Sequence, residues 1–502
     1  MLLRVLAICV STVAFNLTLA PHNLHALQWL LYLPTFWALR AADRRGNLVL
    51  ALAWGVIAHV DGFNWLVETI QLFSNIPDVG AWAILGLFSV VFGLPYLVLW
   101  PLVHPMRARL GIGWVVVFPA WWVLVEWAWS HAMLFPYFHG AGQWSNLAVV
   151  QLSSVTGVWG LTGLVILVNS VLAEALFRWQ EGRSLPVRSL GLTAILWSAI
   201  VVWGGVRHDR IETQLRAGPT LRVAQLQTHT GMLERFAMPA KAEFQEWVDL
   251  TRRVPPGAAD LVVWPEGGCP YAVNDSRAAE QVGALAQQGG FEMVIGGGSR
   301  EREADSAMGE TGKVEIFNSV YFFGRDGAVR GRYDKVVPLP FGEYIPFSDM
   351  FPWLSDLIEG PGHFQAGEEA VVVALDAGRI AAPICYEAIL PGLMRRFDQP
   401  DLVINGTNDA WYGATEGPWQ HAQLAALRAV ELGVPMVRSA FTGSSMVVEP
   451  HGELLFVTGL FEDVARIVTV RRATVPTFYA AVGDWLVAVC GIIVVVAFRR
   501  SR

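Results

Sequence analysis

The chain has 502 residues, 54% of them hydrophobic and only 16% charged, with 22 Trp and a mean hydropathy of +0.41. Soluble domains carry about 25% charged residues, so part of this sequence is suited to lipid rather than water. A net charge of −7 gives no reason to expect nucleic acid, and four cysteines are too few for a disulfide framework.

Residues 1–20 are apolar, with Arg4 near the start. The small residue that ends Leu17-Thr18-Leu19-Ala20 would suit a cleaved signal peptide. Further apolar segments follow at once, however, and the stretch reads as an uncleaved first span. About eight segments reach the ~20 residues that a bilayer crossing needs. They lie near 3–20, 25–42, 47–66, 82–104, 112–130, 154–177, 189–206 and 478–498. Arginines orient them. Arg40, Arg44 and Arg45 lie in one connection, Arg107 and Arg109 in the next but one, and Arg178, Arg183 and Arg188 in the next of that parity. Arg499, Arg500 and Arg502 close the chain, and the intervening connections are poor in basic residues. By the positive-inside rule both termini face the cytoplasm and the long segment after the seventh span lies outside. This divides the chain into a membrane region of about seven helices (1–207), an outer domain (208–477) and a last span with a short tail (478–502).

The connection 126–146 holds Trp127, Trp129, His131, Phe135, Tyr137, Phe138, His139 and Trp144. It reads either as an interfacial aromatic belt or as the wall of a lipid-access site. The outer domain alternates strand-like and helix-like stretches. Strands are expected at 221–227, 261–266, 293–298, 320–324, 330–336, 371–375, 379–382 and 402–405, with helical patterns at 239–253 and 419–432. That alternation argues an α/β sandwich of about 270 residues, one domain's worth. Residues 301–312 are polar and read as a loop.

Three strand ends carry polar residues: Trp264-Pro265-Glu266, Tyr333-Asp334-Lys335 and Ile384-Cys385-Tyr386-Glu387. A helix is expected from about 389, so Cys385 sits at a strand-to-helix junction, where converging N–H groups favour thiolate. Taken alone, Cys385 reads first as a small buried apolar residue. Carboxylate, lysine and thiol together suit acyl transfer: base, oxyanion partner and nucleophile.

These three motifs resemble the Glu-Lys-Cys signature of the nitrilase superfamily. Longer strings narrow the likeness: Tyr333-Asp334-Lys335 running on to Pro340-Phe341-Gly342-Glu343-Tyr344, then Asn408-Asp409-Ala410-Trp411-Tyr412-Gly413, and Arg428-Ala429-Val430-Glu431-Leu432-Gly433. With the membrane segments, they resemble the apolipoprotein N-acyltransferases. The fold this implies is a polytopic α-helical membrane domain plus an extracytoplasmic nitrilase-like α-β-β-α sandwich.

The resemblance implies Glu266 as general base, Lys335 as oxyanion stabiliser and Cys385 as nucleophile. Glu343 and Glu387 would support them, and Tyr386 would lend an oxyanion-hole N–H. The implied reaction is ping-pong. Cys385 takes an acyl chain from a phospholipid, typically phosphatidylethanolamine, and passes it to the α-amine of a diacylglyceryl-cysteine at an apolipoprotein N-terminus. It implies a monomer in the bacterial inner membrane, with no metal or cofactor. Two positions depart from the family pattern and bear on substrate holding: Phe236, where a Trp is usual, and Phe441-Thr442, where paired Asn is usual. Cys269 is expected to be a free thiol near the pocket.

Two further readings compete. A tethered amidohydrolase would give its acyl group to water, and a non-catalytic homologue would only bind. A lipid channel would need ionisable residues inside the spans, for which Glu126 and Glu174 are the candidates. The stretch 341–360 is apolar yet broken by prolines. It reads either as a packed core loop or as a lid whose Phe351, Trp353 and Leu354 dip into lipid while Glu343 faces the pocket. Trp411 is the remaining candidate substrate contact.

Overall fold

The computed structural model describes every residue except 41–42, 75, 134, 303–313, 346–349, 351–363 and 501–502. The chain forms two compact units. One comprises Met1–Val67, Ile76–Arg210 and Pro476–Arg502, the other Glu68–Asn75 and Ile211–Val475.

The first unit is helical. Among the described residues, the stretches Asp78–Ala132, Val158–Gln180 and Val187–Ala217 are long and apolar enough to cross a membrane. Arg44–Gly62 with Leu66–Leu72 adds a pair bent by 57°. Among the described residues, the continuous span expected at 25–42 is not there. The chain makes a 3-10 turn at His25–Trp29 and a short helix at Leu33–Leu39, with Pro34 in its first turn. Asn169 replaces the missing helical hydrogen bonds: its Oδ1 accepts from the Tyr32 N–H (3.1 Å) and its Nδ2 donates to the Gln28 carbonyl (2.8 Å).

The connection 126–146 is also not a simple surface belt. Phe138, His139 and Gln143 are buried, and a small pocket is lined by His59, Tyr96, Trp122, Glu126, Tyr137 and His139. The two acids considered for a channel are held by fixed partners. Glu126 accepts from His139 Nδ1 (2.6 Å) and Thr162 Oγ1 (2.7 Å). Glu174 pairs with Arg107 and Arg178, each at 2.7 Å.

The second unit is built on two sheets. The strands, in chain order, are β1 (Thr220–Gln227), β2 (Leu261–Val263), β3 (Cys269–Ala272), β4 (Glu292–Arg302), β5 (Val314–Phe323), β6 (Val329–Asp334) and β7 (Phe364–Gln365), followed by β8 (Val372–Leu375), β9 (Gly378–Ala381), β10 (Leu402–Thr407), β11 (Met436–Ala440), β12 (Met446–Val448), β13 (Leu454–Val457) and β14 (Val464–Arg471). An eight-stranded sheet runs β14-β1-β2-β4-β5-β6, with β3 on β4 and β7 on β5, and a six-stranded sheet runs β13-β12-β11-β10-β9-β8. β4 is longer than the sequence suggested. It takes in Glu301 and Arg302 because its antiparallel ladder with β5 continues to Val314.

Helices Ala240–Arg252 and Ala278–Gly289 bury Phe244, Trp247, Val282 and Leu285 against Leu226, Val262, Met293 and Ile295 of the larger sheet. Helix Gly417–Leu432 packs on β11 and β12 of the smaller one. Inner faces meet through side-chain-to-backbone bonds: Gln225 Nε2 donates to the Arg438 carbonyl (2.8 Å) and Ser439 Oγ to the Leu226 carbonyl (3.0 Å). The layers are therefore helix, sheet, sheet, helix. Each large buried side chain contributes roughly 1.5–3 kcal/mol, so this core fixes the strand ends from which the polar residues project.

Candidate active site

Glu266 leaves the end of β2 where the chain passes close to two neighbouring strands. A Cβ at Gly296 would fall 2.3 Å from the Pro265 carbonyl and 2.6 Å from the Glu266 Cα, so only glycine lets this loop settle against β4. The carboxylate is buried. Its Oε1 accepts from Asn318 Nδ2 (2.7 Å) and lies 3.3 Å from Lys335 Nζ, while its Oε2 accepts from the Asn408 N–H (2.9 Å). Burial alone would raise its pKa. The Lys335 ammonium and hydrogen bonds from Asn318, Cys385 and Asn408 outweigh that and lower it.

Lys335 follows β6 and is 2% exposed, so its ammonium has no water to fall back on. Burial works against the charge, but the carboxylates of Glu266 and Glu343 hold its pKa well above the usual lysine range. Glu343 Oε2 lies 2.7 Å from Nζ and also accepts the Leu339 N–H at 2.7 Å. Asn318, at the centre of β5, donates to both Glu266 and Glu343. One cation thus sits between two carboxylates.

Cys385 adopts φ +52°, in the left-handed region that side chains other than glycine seldom occupy. Such strain holds a side chain in a fixed direction and is found at functional sites. The helix expected to follow is only a 3-10 turn, Cys385–Ile389, and then a single turn, Pro391–Met394. The expected activation of the thiol by a helix terminus is therefore absent. Burial raises the Cys385 pKa and the negative charges of Glu266 and Asp409 add to it, against Lys335 and a Thr407 hydrogen bond that lower it. The resting group is a thiol, hydrogen-bonded to the carboxylate that can take its proton.

Glu387 is fully buried and ties the Lys335 loop to the Cys385 loop. It accepts from the Val336 N–H (2.7 Å), the Val337 N–H (2.9 Å), the Ile384 N–H (2.8 Å) and the Tyr333 hydroxyl (2.9 Å). Burial lifts its pKa to about 7 in spite of Lys335 and these donors.

Two family profiles match the chain: the carbon-nitrogen hydrolase over residues 220–478 and the apolipoprotein N-acyltransferase N-terminal domain over residues 11–171. An apolipoprotein N-acyltransferase of Bradyrhizobium diazoefficiens is 32% identical over 510 residues, covering 96% of this chain and 92% of that one. The chain belongs to the apolipoprotein N-acyltransferase family. A second relative of that name, from Geobacter metallireducens, is 29% identical over 511 residues, covering 98% and 94% of the two chains. Among solved structures, a carbon-nitrogen hydrolase from Helicobacter pylori covers 56% of this chain and 95% of its own, at 16% identity and a TM-score of 0.37.

The other residues singled out from the sequence of this family member fall in different environments. Tyr386 is buried beside Cys385, within electrostatic reach of Lys335 and Tyr344. Trp411 is half-buried in the 3-10 turn Asp409–Tyr412. Phe236 is 61% exposed on the short helix Met232–Ala237. That helix is tied to the site by Asn408 Nδ2 on Met232 Sδ (3.6 Å) and by Arg235 on the Gly267 carbonyl (2.7 Å). Phe441 is buried under the Arg235 guanidinium, 4.5 Å from its ring centre. Thr442 is buried too. Phe351, Trp353 and Leu354 lie outside the described residues. Glu343 is the carboxylate paired with Lys335. Cys269 is a free buried thiol whose pKa burial raises to about 12. The reading from sequence missed Asn318, whose signal was an amide inside the apolar run Ile316-Phe317-Asn318-Ser319-Val320. It also missed Thr407 and the buried cluster of Asp409, His421 and Arg438.

Proposed function

We propose that this protein transfers an acyl chain from a membrane phospholipid to the N-terminal amine of diacylglyceryl-cysteine in apolipoproteins. The supporting observation is the convergence of a buried lysine, two carboxylates and a strained thiol, in a chain whose family is named for this reaction. Glu266 takes the Cys385 proton as sulfur attacks the ester carbonyl. Protonating Glu266 leaves Lys335 paired with Glu343 alone, free to turn toward the oxyanion, with the Tyr386 N–H as a second donor. Collapse of the intermediate breaks the C–O bond. The lysophospholipid leaves with the proton from Glu266, and a thioester remains on Cys385. The acceptor amine then attacks the thioester, gives a proton to Glu266 and expels the thiolate, which is reprotonated from Glu266. Phosphatidylethanolamine is the donor this reading favours, and the enzyme is read as a monomer.

The apolar helices and the arginine-bearing connections support a multi-pass protein of the bacterial inner membrane, with residues 1–207 and 478–502 in the bilayer region and 208–477 periplasmic. The exposed Phe341, Tyr344 and Met350 support a lipid-facing role for these three side chains. Incubating the purified protein with acyl-labelled phospholipid, with and without a diacylated lipopeptide, tests the reading. Label on the protein that moves only to the lipopeptide is expected. Rapid release of free fatty acid would establish the amidohydrolase-like alternative.

A further inference from the structure

Beside the thiol lies a polar cluster that the mechanism above does not use. Thr407 ends β10, is fully buried and stands beside Cys385, because Gly406 pairs in parallel with Ile384 and Asn405 Nδ2 donates to the Cys385 carbonyl (3.2 Å); its hydroxyl is within reach of the sulfur. Its hydroxyl also donates to Asp409 Oδ1 at 3.2 Å. Asp409 is fully buried as well, and is already well supplied. Arg438 Nη2 lies 3.0 Å from its Oδ1 and 2.8 Å from its Oδ2, and His421 Nδ1 lies 3.0 Å from its Oδ1. A Cβ at Gly443 would fall 2.1 Å from Asp409 Oδ2, so the turn after β11 can press on the carboxylate only because it carries glycine. The Thr407 bond is the longest of those Asp409 receives, and its donor is a hydroxyl free to rotate about one torsion.

We propose that Thr407 is a catalytic residue whose hydroxyl proton swings from Asp409 to the Cys385 sulfur whenever that sulfur carries negative charge, with Asp409, Arg438 and His421 as the positioning residues that hold the swing. At rest the sulfur keeps its own proton, shared with Glu266, and the Thr407 hydrogen rests on Asp409. When the thiol proton passes to Glu266, the thiolate becomes the better acceptor and Thr407 turns to it. Once a thioester forms, the sulfur is a poor acceptor and the hydrogen returns to Asp409. The contact is thus strongest while sulfur attacks and again while it leaves, so it favours both half-reactions without stabilising the resting enzyme. The charged groups that face Cys385 are Glu266 from the β2 loop, Lys335 from the β6 loop and Asp409 from the turn after β10. The phenol of Tyr412 faces it from the same turn.

The proposal rests on Cys385 being the nucleophile, which acyl-enzyme formation by the unsubstituted protein tests separately. The experiment compares Thr407→Val and Thr407→Ser in the full chain. It follows the pH dependence of iodoacetamide alkylation at Cys385 by mass spectrometry, and the rates of acyl-enzyme formation and of transfer to a lipopeptide. Loss of a hydrogen bond to a charged acceptor corresponds to roughly ten- to a hundredfold in rate. For Thr407→Val the expected result is that loss in both half-reactions, with the alkylation profile displaced to higher pH. Thr407→Ser should restore both. Thr407→Ala gives the same readout should the valine variant not fold. An unmoved alkylation profile in a folded variant without the hydroxyl, or a serine variant as impaired as valine, would overturn the proposal.

Discussion

Glu387 offers the sharpest test of how the site is held together. Replacing it with Gln keeps the shape but turns one acceptor oxygen into an NH2 donor. If the NH2 takes the Oε2 position, Tyr333 can rotate its hydroxyl to accept, and only the Ile384 N–H loses its partner. In the other orientation both Val336 and Val337 N–H groups are orphaned. The first arrangement is therefore adopted, and one buried unsatisfied donor costs about 1–3 kcal/mol. For a domain of this size each kcal/mol lowers Tm by about 2–4 °C. Ala leaves three N–H groups and the tyrosine without partners, a cost of about 4–12 kcal/mol against a total stability of about 5–15 kcal/mol. Thermal unfolding in detergent, followed by tryptophan fluorescence alongside mass-spectrometric detection of acyl-Cys385, measures both effects. Glu387→Gln should melt a few degrees low and acylate slowly, because the Lys335 and Cys385 loops slip against each other. Glu387→Ala should not accumulate folded. An alanine variant that melts as the unsubstituted protein does would refute the clasp.

Stability should also depend on pH through the same group. The Glu387 pKa is about 7 in the folded protein and about 4.3 in an unfolded chain. Between those values the folded state keeps a proton that the unfolded state has released, so this contribution is complete below about 4.3 and is lost as pH rises through 7; Glu387→Gln should flatten that slope in a denaturation series. Cys385→Ser should fold but form no acyl-enzyme, since serine needs a stronger base than a carboxylate matched to a thiol; a labelled adduct at the unsubstituted level would remove Cys385 from the mechanism. Lys335→Met should keep the thiol and lose about 10²–10³ in lipopeptide acylation, and a loss below tenfold would mean that the ammonium does not meet the oxyanion. Glu266→Gln removes a negative charge that raises the Cys385 pKa, so iodoacetamide should react faster with Cys385 at a given pH while acyl transfer fails. Slower alkylation would show that Glu266 aids the thiolate rather than opposing it.

The carboxylate, lysine and thiol were legible because each ends a strand in a short distinctive motif, and strands β1, β2, β6 and β8–β10 lie close to where their apolar alternation puts them. The supporting groups were not legible. Asn318 and Arg438 sit mid-strand, where a polar residue in sequence says nothing of which face or partner it meets. Charge around Cys385 was misjudged because the thiol is buried and the carboxylates of Glu266 and Asp409 act on it, none of which a local helix signal reports. The segment 25–42 has the apolar length of a span, but the side chain of Asn169, distant in sequence, takes over its backbone hydrogen bonds. Periodicity cannot foresee a partner of that kind.

The short piece Glu68–Asn75 belongs with the catalytic unit although it comes from the middle of the helical region. Its Glu68 carboxylate lies where a Cβ on Gly413 would be, 2.1 Å from that point, directly after the turn that carries Trp411. The soluble-looking half of the protein is therefore not a cassette that can be lifted out at its apparent borders. A polypeptide limited to 211–475 would expose the surface that Glu68 covers, however complete its sheets. Supplying 1–210 as a separate polypeptide should restore the missing piece in trans, which makes the two halves natural fragments for a complementation assay.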